Sequence, residues 1–225
     1  MKTYLRQVLA VVWKDLVVEL RTRERAAAMI SFAVLVGILF NYSMDPTRVA
    51  PREIAGGLIW LTVIFGGLLG LARTFQMERE EGAMEGLVLS PVPRDALFLG
   101  KVAANYILLM VVTLLVVAVF WLFFGLRLGS WPLLLAVLAL GVLGFVAVGT
   151  LFSAVTASST MGETLLPILL FPILVPVVVF GVSATDRVFA GRPLAEVAGN
   201  LKMLGAFALA SVVVGAVLFR YVVEE

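Results

Sequence analysis

Charge along this chain comes in clusters, and the intervals between the clusters are apolar. Residues 26–44, 54–72, 102–126, 128–162, 164–185 and 203–219 contain no Asp, Glu, Lys or Arg. A bilayer crossing needs roughly 17–25 mostly apolar residues, so each interval but the fourth reads as one span. The fourth is too long for one crossing, and Gly129-Ser130-Trp131-Pro132 marks an interfacial turn at its start. The pattern predicts an all-α integral membrane protein with six transmembrane helices, at about 26–44, 54–72, 102–124, 132–157, 164–185 and 203–220.

Residues 1–25 carry a different period. Leu5, Leu9, Val12, Trp13, Leu16 and Leu20 recur every three or four positions, whereas Arg6, Lys14, Glu19 and Arg21 fall mostly elsewhere. This predicts an amphipathic helix lying in the membrane interface, with Trp13, Lys14 and Arg21 at the boundary. Amphipathicity fits both an anchor for the N-terminus and a lever. The first span does not read as a cleavable signal, because a charged, patterned segment precedes it and no A-x-A-like site leads into a soluble domain.

Composition narrows the chemistry. The 225 residues are 62% apolar and 14% charged, against about 45–50% and about 25% in soluble domains, so residues 1–225 form one membrane domain. Cysteine and histidine are absent, which excludes disulfides, the usual zinc sites, thiol redox chemistry and C-x-x-C-H haem attachment. Only Met or Tyr could ligate haem iron. Met110, inside a span, reads as flexible core filler, so no cofactor or metal is expected on this chain. There is no G-x-x-x-x-G-K-[ST] phosphate cradle and no paired intramembrane carboxylate, so an enzyme is not expected either. The net charge is +2, and the bases are dispersed around the spans, which gives no nucleic-acid face.

Lysine and arginine set the orientation. Eleven lie in the N-terminal segment, residues 73–101 and the C-tail, against six in the alternate connections. Both termini and the 73–101 segment are therefore expected in the cytoplasm. That segment is the most densely charged stretch between spans. A short helix over 75–89 would carry Glu78, Glu81 and Glu85 on one side and Met77, Met84, Leu87 and Leu89 as apolar contacts. Ser90-Pro91-Val92-Pro93 stops it, and Asp95 suits the first turn of the next helix. Such a helix can dock in a groove on a soluble partner; a solvated loop is the plainer alternative.

Span five contains Pro167, Pro172 and Pro176, each removing a backbone bond, so a bent or partly unwound helix is expected, either as a gate or as a static kink. Gly66/Gly70, Gly141/Gly144, Ala206/Ala210 and Ser211/Gly215 offer close helix approach. Residues 184–202 read as the longest outer connection, with a short helix from Pro193 through Ala198.

The run E-R-E-E-G-A-M-E-G-L-V-L-S-P-V-P from Glu78, followed by A-L-F-L-G-K at a span start, resembles the coupling helix of six-helix, type-2 ABC exporter permeases, which also lies between spans two and three. APREIAGGLIWLTVIFGGLLGLARTF and LLPILLFPILVPVVVFG narrow the resemblance to the CcmB family, the haem exporter permeases of bacterial cytochrome c maturation. It implies that Glu78, Arg79, Glu80, Glu81, Gly82, Met84, Glu85, Leu87, Leu89 and Pro91 contact a separate ATP-binding subunit. Two copies of that subunit would hold ATP and Mg, and the permease would pair with a second copy of itself. Haem would be handled by a membrane partner and a periplasmic chaperone, at the bacterial cytoplasmic (inner) membrane. An ABC-2-type permease for a lipid, drug or glycan, and an ATPase-independent scaffold, are the alternatives.

Overall fold

The computed structural model describes residues 2–43, 50–80, 82, 92–126, 129–157 and 162–223. Among them are seven helices and no strand: α1 (Lys2–Thr22), α2 (Glu24–Ser43), α3 (Pro51–Glu80), α4 (Arg94–Phe124), α5 (Trp131–Ala157), α6 (Gly162–Phe189) and α7 (Leu194–Val223). All but α1 are long and apolar enough to cross a membrane. The chain is an all-α, multi-pass membrane protein.

Burial separates centre from wall. In α3 and α5, 72% and 67% of the apolar window is buried, against 22% in α2 and 17% in α7. The two inner helices meet through small residues. A Cβ added at Gly141 of α5 would lie 2.2 Å from Trp60 of α3, and one at Gly67 of α3 would lie 2.4 Å from Phe145 of α5. The seams expected from sequence are taken up within the chain at three places. Gly70 faces Met29 of α2, Gly144 faces Phe207 of α7, and Gly215 faces Phe98 of α4. Ala206 and Ala210 instead face outward.

Three local expectations differ from the structure. The helix expected to begin at Phe75 does not begin there, because α3 continues unbroken through Glu80. No glycine or proline interrupts Ala72–Glu80, and the straight-chain residues in it are good helix formers. Gly82, at φ 68°, stands in the left-handed region that follows many helix ends. Second, α6 runs unbroken through Pro167, Pro172 and Pro176, so partial unwinding is not found. Third, the long connection at 184–202 shrinks to a turn over 190–193, with Gly191 at φ 70°. Pro193 precedes a helix, but that helix does not stop at Gly199. One internal glycine costs only about 1 kcal/mol relative to alanine, too little to break a helix packed against α5 and α6.

Candidate functional site

Helix α1 turns into α2 at one residue, Arg23, whose φ of 56° is rare for a side-chain-bearing residue. The turn holds because Glu19 reaches across it. Glu19 Oε1 accepts the Ala26 amide at 2.9 Å, which satisfies one of the unpaired donors at the start of α2. Its other oxygen takes Arg25 Nε at 2.6 Å. Both side chains are buried.

Arg25 leads on into the bundle. Its Nη1 donates to Asn105 Oδ1 of α4 at 3.1 Å. Asn105 Nδ2 donates to Thr150 Oγ1 of α5 at 3.1 Å, and Thr74 of α3 donates to Asn105 Oδ1 at 3.5 Å. One asparagine thus joins four of the six crossing helices. A neighbouring tie fixes α5 to α3, where Ser153 Oγ donates to the Leu71 carbonyl at 2.7 Å.

One turn before Asn105, Lys101 is only 1% exposed. Its Nζ lies 3.0 Å from Asp15 Oδ2 of α1 and 5.1 Å from the centre of the Phe75 ring of α3. Asp15 also faces the partly exposed Lys14 at 3.1 Å. Gly100 permits this approach, since a Cβ there would lie 2.6 Å from Val11 Cβ. At the start of α4, Tyr4 Oη donates to Asp95 Oδ2 at 2.7 Å. Partial burial, with the hydrogen bond to Asp95 and its negative charge, pushes the Tyr4 pKa up to about 12. At the root of α3, Arg73 pairs with Glu24 of α2 at 2.9 Å in an exposed bridge.

These contacts bring the two roots of the 73–101 segment onto α1 and α2. Within that segment, Glu78, Arg79 and Glu80 lie in the last turns of α3, and Gly82 is exposed in a turn. Glu81, Met84, Glu85, Leu87, Leu89 and Pro91 lie outside the described residues. Trp13, Lys14 and Arg21 lie on the open side of α1, with Trp13 72% exposed. Leu5, Leu9 and Leu20 are exposed with them. Pro172 is exposed and Pro167 and Pro176 half-buried on α6, and Pro167 lines a small cavity with Arg73 of α3.

Sequence reasoning passed over Asp15, Glu19, Arg25, Lys101 and Asn105. A signal was present: Asp15/Glu19 and Lys101/Asn105 are both i,i+4 pairs, and ionisable groups at the edge of apolar helices need partners. At the opposite end of the bundle the buried side-chain ties are neutral, beside exposed charged contacts of Arg187 and Arg192 with Glu196. Trp60 Nε1 donates to Thr185 Oγ1 at 3.0 Å, and Asn200 donates to Ser183 at 3.0 Å. A cavity of about 670 Å³ opens there, lined by Glu53, Asp186, Phe189, Gly191, Arg192 and Pro193 among others.

Comparison with known proteins fits this architecture. The model of the CcmB protein family matches residues 6–224. The chain is 31% identical to heme exporter protein B of Pseudomonas aeruginosa over 173 residues, 77% of each chain. It is 32% identical to heme exporter protein B of Escherichia coli K12 over 200 residues, covering 86% of this chain and 89% of the relative. With heme exporter protein B of Paracoccus denitrificans identity is 30% over 200 residues, 87% and 90% of the two chains.

Proposed function

The chain belongs to the CcmB family, and on that premise we propose that it is the membrane subunit of an ATP-driven complex for cytochrome c maturation. It would couple hydrolysis by a separate subunit to haem delivery or to release of a haem-loaded periplasmic chaperone. The observation that carries this reading is the clamping of both roots of the 73–101 segment. Arg73 and Thr74 hold the α3 root, and Asp95 and Lys101 hold the α4 root. Force applied to a segment anchored at both ends moves the helices it joins rather than flexing a loose loop.

In this reading Glu78–Gly82, Met84, Glu85, Leu87, Leu89 and Pro91 meet the ATP-binding subunit at the cytoplasmic face of the inner membrane, and both termini lie on that side. Trp13, Lys14 and Arg21 set α1 among lipid headgroups, and the proline-rich α6 serves as the gate. The permease works as a homodimer with two ATP-binding subunits, which carry the ATP and Mg, alongside a haem-handling membrane protein. It performs no catalysis, and haem iron is ligated by the partners, a division consistent with a chain that has neither His nor Cys.

The test compares tagged wild type with a Glu80→Lys/Glu81→Lys/Glu85→Lys variant purified from membranes. Bound proteins are identified by mass spectrometry and assayed for ATPase activity. The expected result is an ATP-binding subunit and haem-handling proteins with the wild type, and loss of the ATP-binding subunit from a folded variant. An ATPase without haem-handling partners points to a permease for another substrate. No ATPase with either protein overturns the reading in favour of a scaffold.

A further inference from the structure

We propose that Asp15 and Lys101 are positioning residues that make α1 and α4 one rigid lever, so that the interfacial helix travels with the third span. The inference rests on the coupling function proposed above and assigns a moving role to α1. Three contacts carry it. The Lys101 ammonium is almost fully buried and lies 3.0 Å from Asp15. An uncompensated charge in such a place is strongly unfavourable, so α1 cannot slide along or lift from α4 without orphaning both groups. Gly100 brings α4 against Val11, and any rotation of α1 would drive side chains into that gap. Phe75, in the last turns of α3, lies under the same ammonium. A push entering through either root of the 73–101 segment therefore arrives at one side chain, Lys101 of α4, which meets Asp15 of α1 and Phe75 of α3.

The lever has an outer face as well. Leu5, Leu9, Trp13 and Leu20 are all more than half exposed, on the side of α1 turned from α4. If α1 moves with α4, this face shifts against the lipid during each cycle.

The chain has no cysteine, so a pair introduced by substitution gives one defined intramolecular link. Tyr4→Cys/Asp95→Cys replaces two side chains that already meet at 2.7 Å, and a cleavable bis-thiol reagent joins them. The protein is studied in its complex with the ATP-binding subunit. Two readouts are followed: ATPase activity, and covalent haem in a periplasmic cytochrome in cells lacking their own copy of the permease. Locking α1 to α4 is expected to leave both within about twofold of the unlinked protein, because a rigid joint loses nothing when welded. Asp15→Asn is expected to keep ATP hydrolysis but lower cytochrome haem by about tenfold, within the range of mutations that alter coupling between sites. The 4–95 link introduced into that variant is expected to restore the yield. An Asp15→Lys/Lys101→Asp exchange, which re-forms the pair, provides a second route to rescue.

If the link abolishes cytochrome haem until it is cleaved, α1 and α4 move relative to each other and the proposal is wrong. It is equally wrong if a folded Asp15→Asn protein matures cytochrome as well as wild type. Absence of any ATP-binding subunit from the wild-type complex overturns the functional reading, and this inference with it. The first two outcomes overturn the inference alone.

Discussion

Gly141→Ala adds one methyl group where the two inner helices, α3 and α5, cross closely. Its carbon would lie 2.2 Å from Cη2 of Trp60 and 3.0 Å from Cζ2 and Cζ3. Carbon atoms rest about 3.5–4.0 Å apart, so one partner must retreat by more than an ångström. The indole has nowhere to go. A Cβ at Gly181 of α6 would lie 2.7 Å from its Cε2, and Nε1 is held by Thr185 at 3.0 Å. The strain falls on the α3–α5 spacing, at about 1–3 kcal/mol for overpacking of a tight core. At about 2–4 °C per kcal/mol for a chain of this size, the melting temperature in detergent should drop by roughly 2–12 °C. Trp60→Phe removes the six-membered ring that the methyl group strikes. Thr185 keeps a partner in that variant, because its hydroxyl also donates to the Gly181 carbonyl at 2.8 Å. The double variant should therefore lose less than the two single losses added together, a coupling of about 0.5–3 kcal/mol as seen for residues in contact. An unchanged melting temperature in Gly141→Ala, or strict additivity in the double variant, would refute the clamp.

Two further perturbations separate strong ties from weak ones. Arg25→Ala leaves Glu19 buried without its cation and should destabilise by about 3–5 kcal/mol. Arg73→Ala breaks a bridge whose side chains are 51% and 56% exposed and should change stability by less than about 1 kcal/mol; paired denaturation curves in one detergent decide between them. The Tyr4 phenol provides a pH test. Its folded pKa of about 12 lies above the free value of about 10, so the neutral phenol is favoured in the folded state. The tie to Asp95 is fully present below about pH 10 and is lost as the pH rises through about 12. Difference absorbance between wild type and Tyr4→Phe should show one phenol ionising late, and a phenol titrating near its free value would contradict the contact.

The six spans were legible because the bilayer turns length and charge into a counting rule, and Arg73, Arg127, Glu163 and Asp186 punctuate the count. Helix ends were less legible for the same reason. A span stops at the first charge on a hydropathy count, but the backbone need not stop there, so α3 continues to Glu80 and α7 begins at Leu194. The clustered prolines of α6 suggested unwinding, yet its backbone stays helical through all three. The ionic joint was hidden by a helical wheel with two apolar sides. Leu5, Leu9, Val12, Trp13, Leu16 and Leu20 formed the visible stripe, whereas Val8 and Val11 lie on a second side with Asp15 and Glu19, which buried Val12 borders. That inner side became visible only once α4 supplied Lys101 and α2 supplied Arg25 opposite it.

The buried side-chain ties at the two ends of the bundle differ in kind, and the difference bears on where stiffness is needed. The Trp60–Thr185 and Asn200–Ser183 ties are neutral hydrogen bonds, typically worth about 0.5–1.5 kcal/mol each. Breaking the Trp60 bond leaves a buried donor unpaired at about 1–3 kcal/mol, less than an uncompensated buried charge costs. Asp15–Lys101 and Glu19–Arg25 are charged and buried. Such pairs contribute little net stability over apolar replacements, but they strongly oppose separation of the partners. A protein under selection for stability alone gains little from placing them at a helix crossing. A joint that must hold one register while force passes through it gains from that opposition, because sliding by a single turn would orphan both charges. Asp15 meets Lys101 directly, and four residues further along each helix Glu19 and Asn105 both bond Arg25 of α2, so one register satisfies the direct and the bridged contact at once. That matched spacing lies at the roots of the 73–101 segment, where a partner's push would enter on the proposed reading.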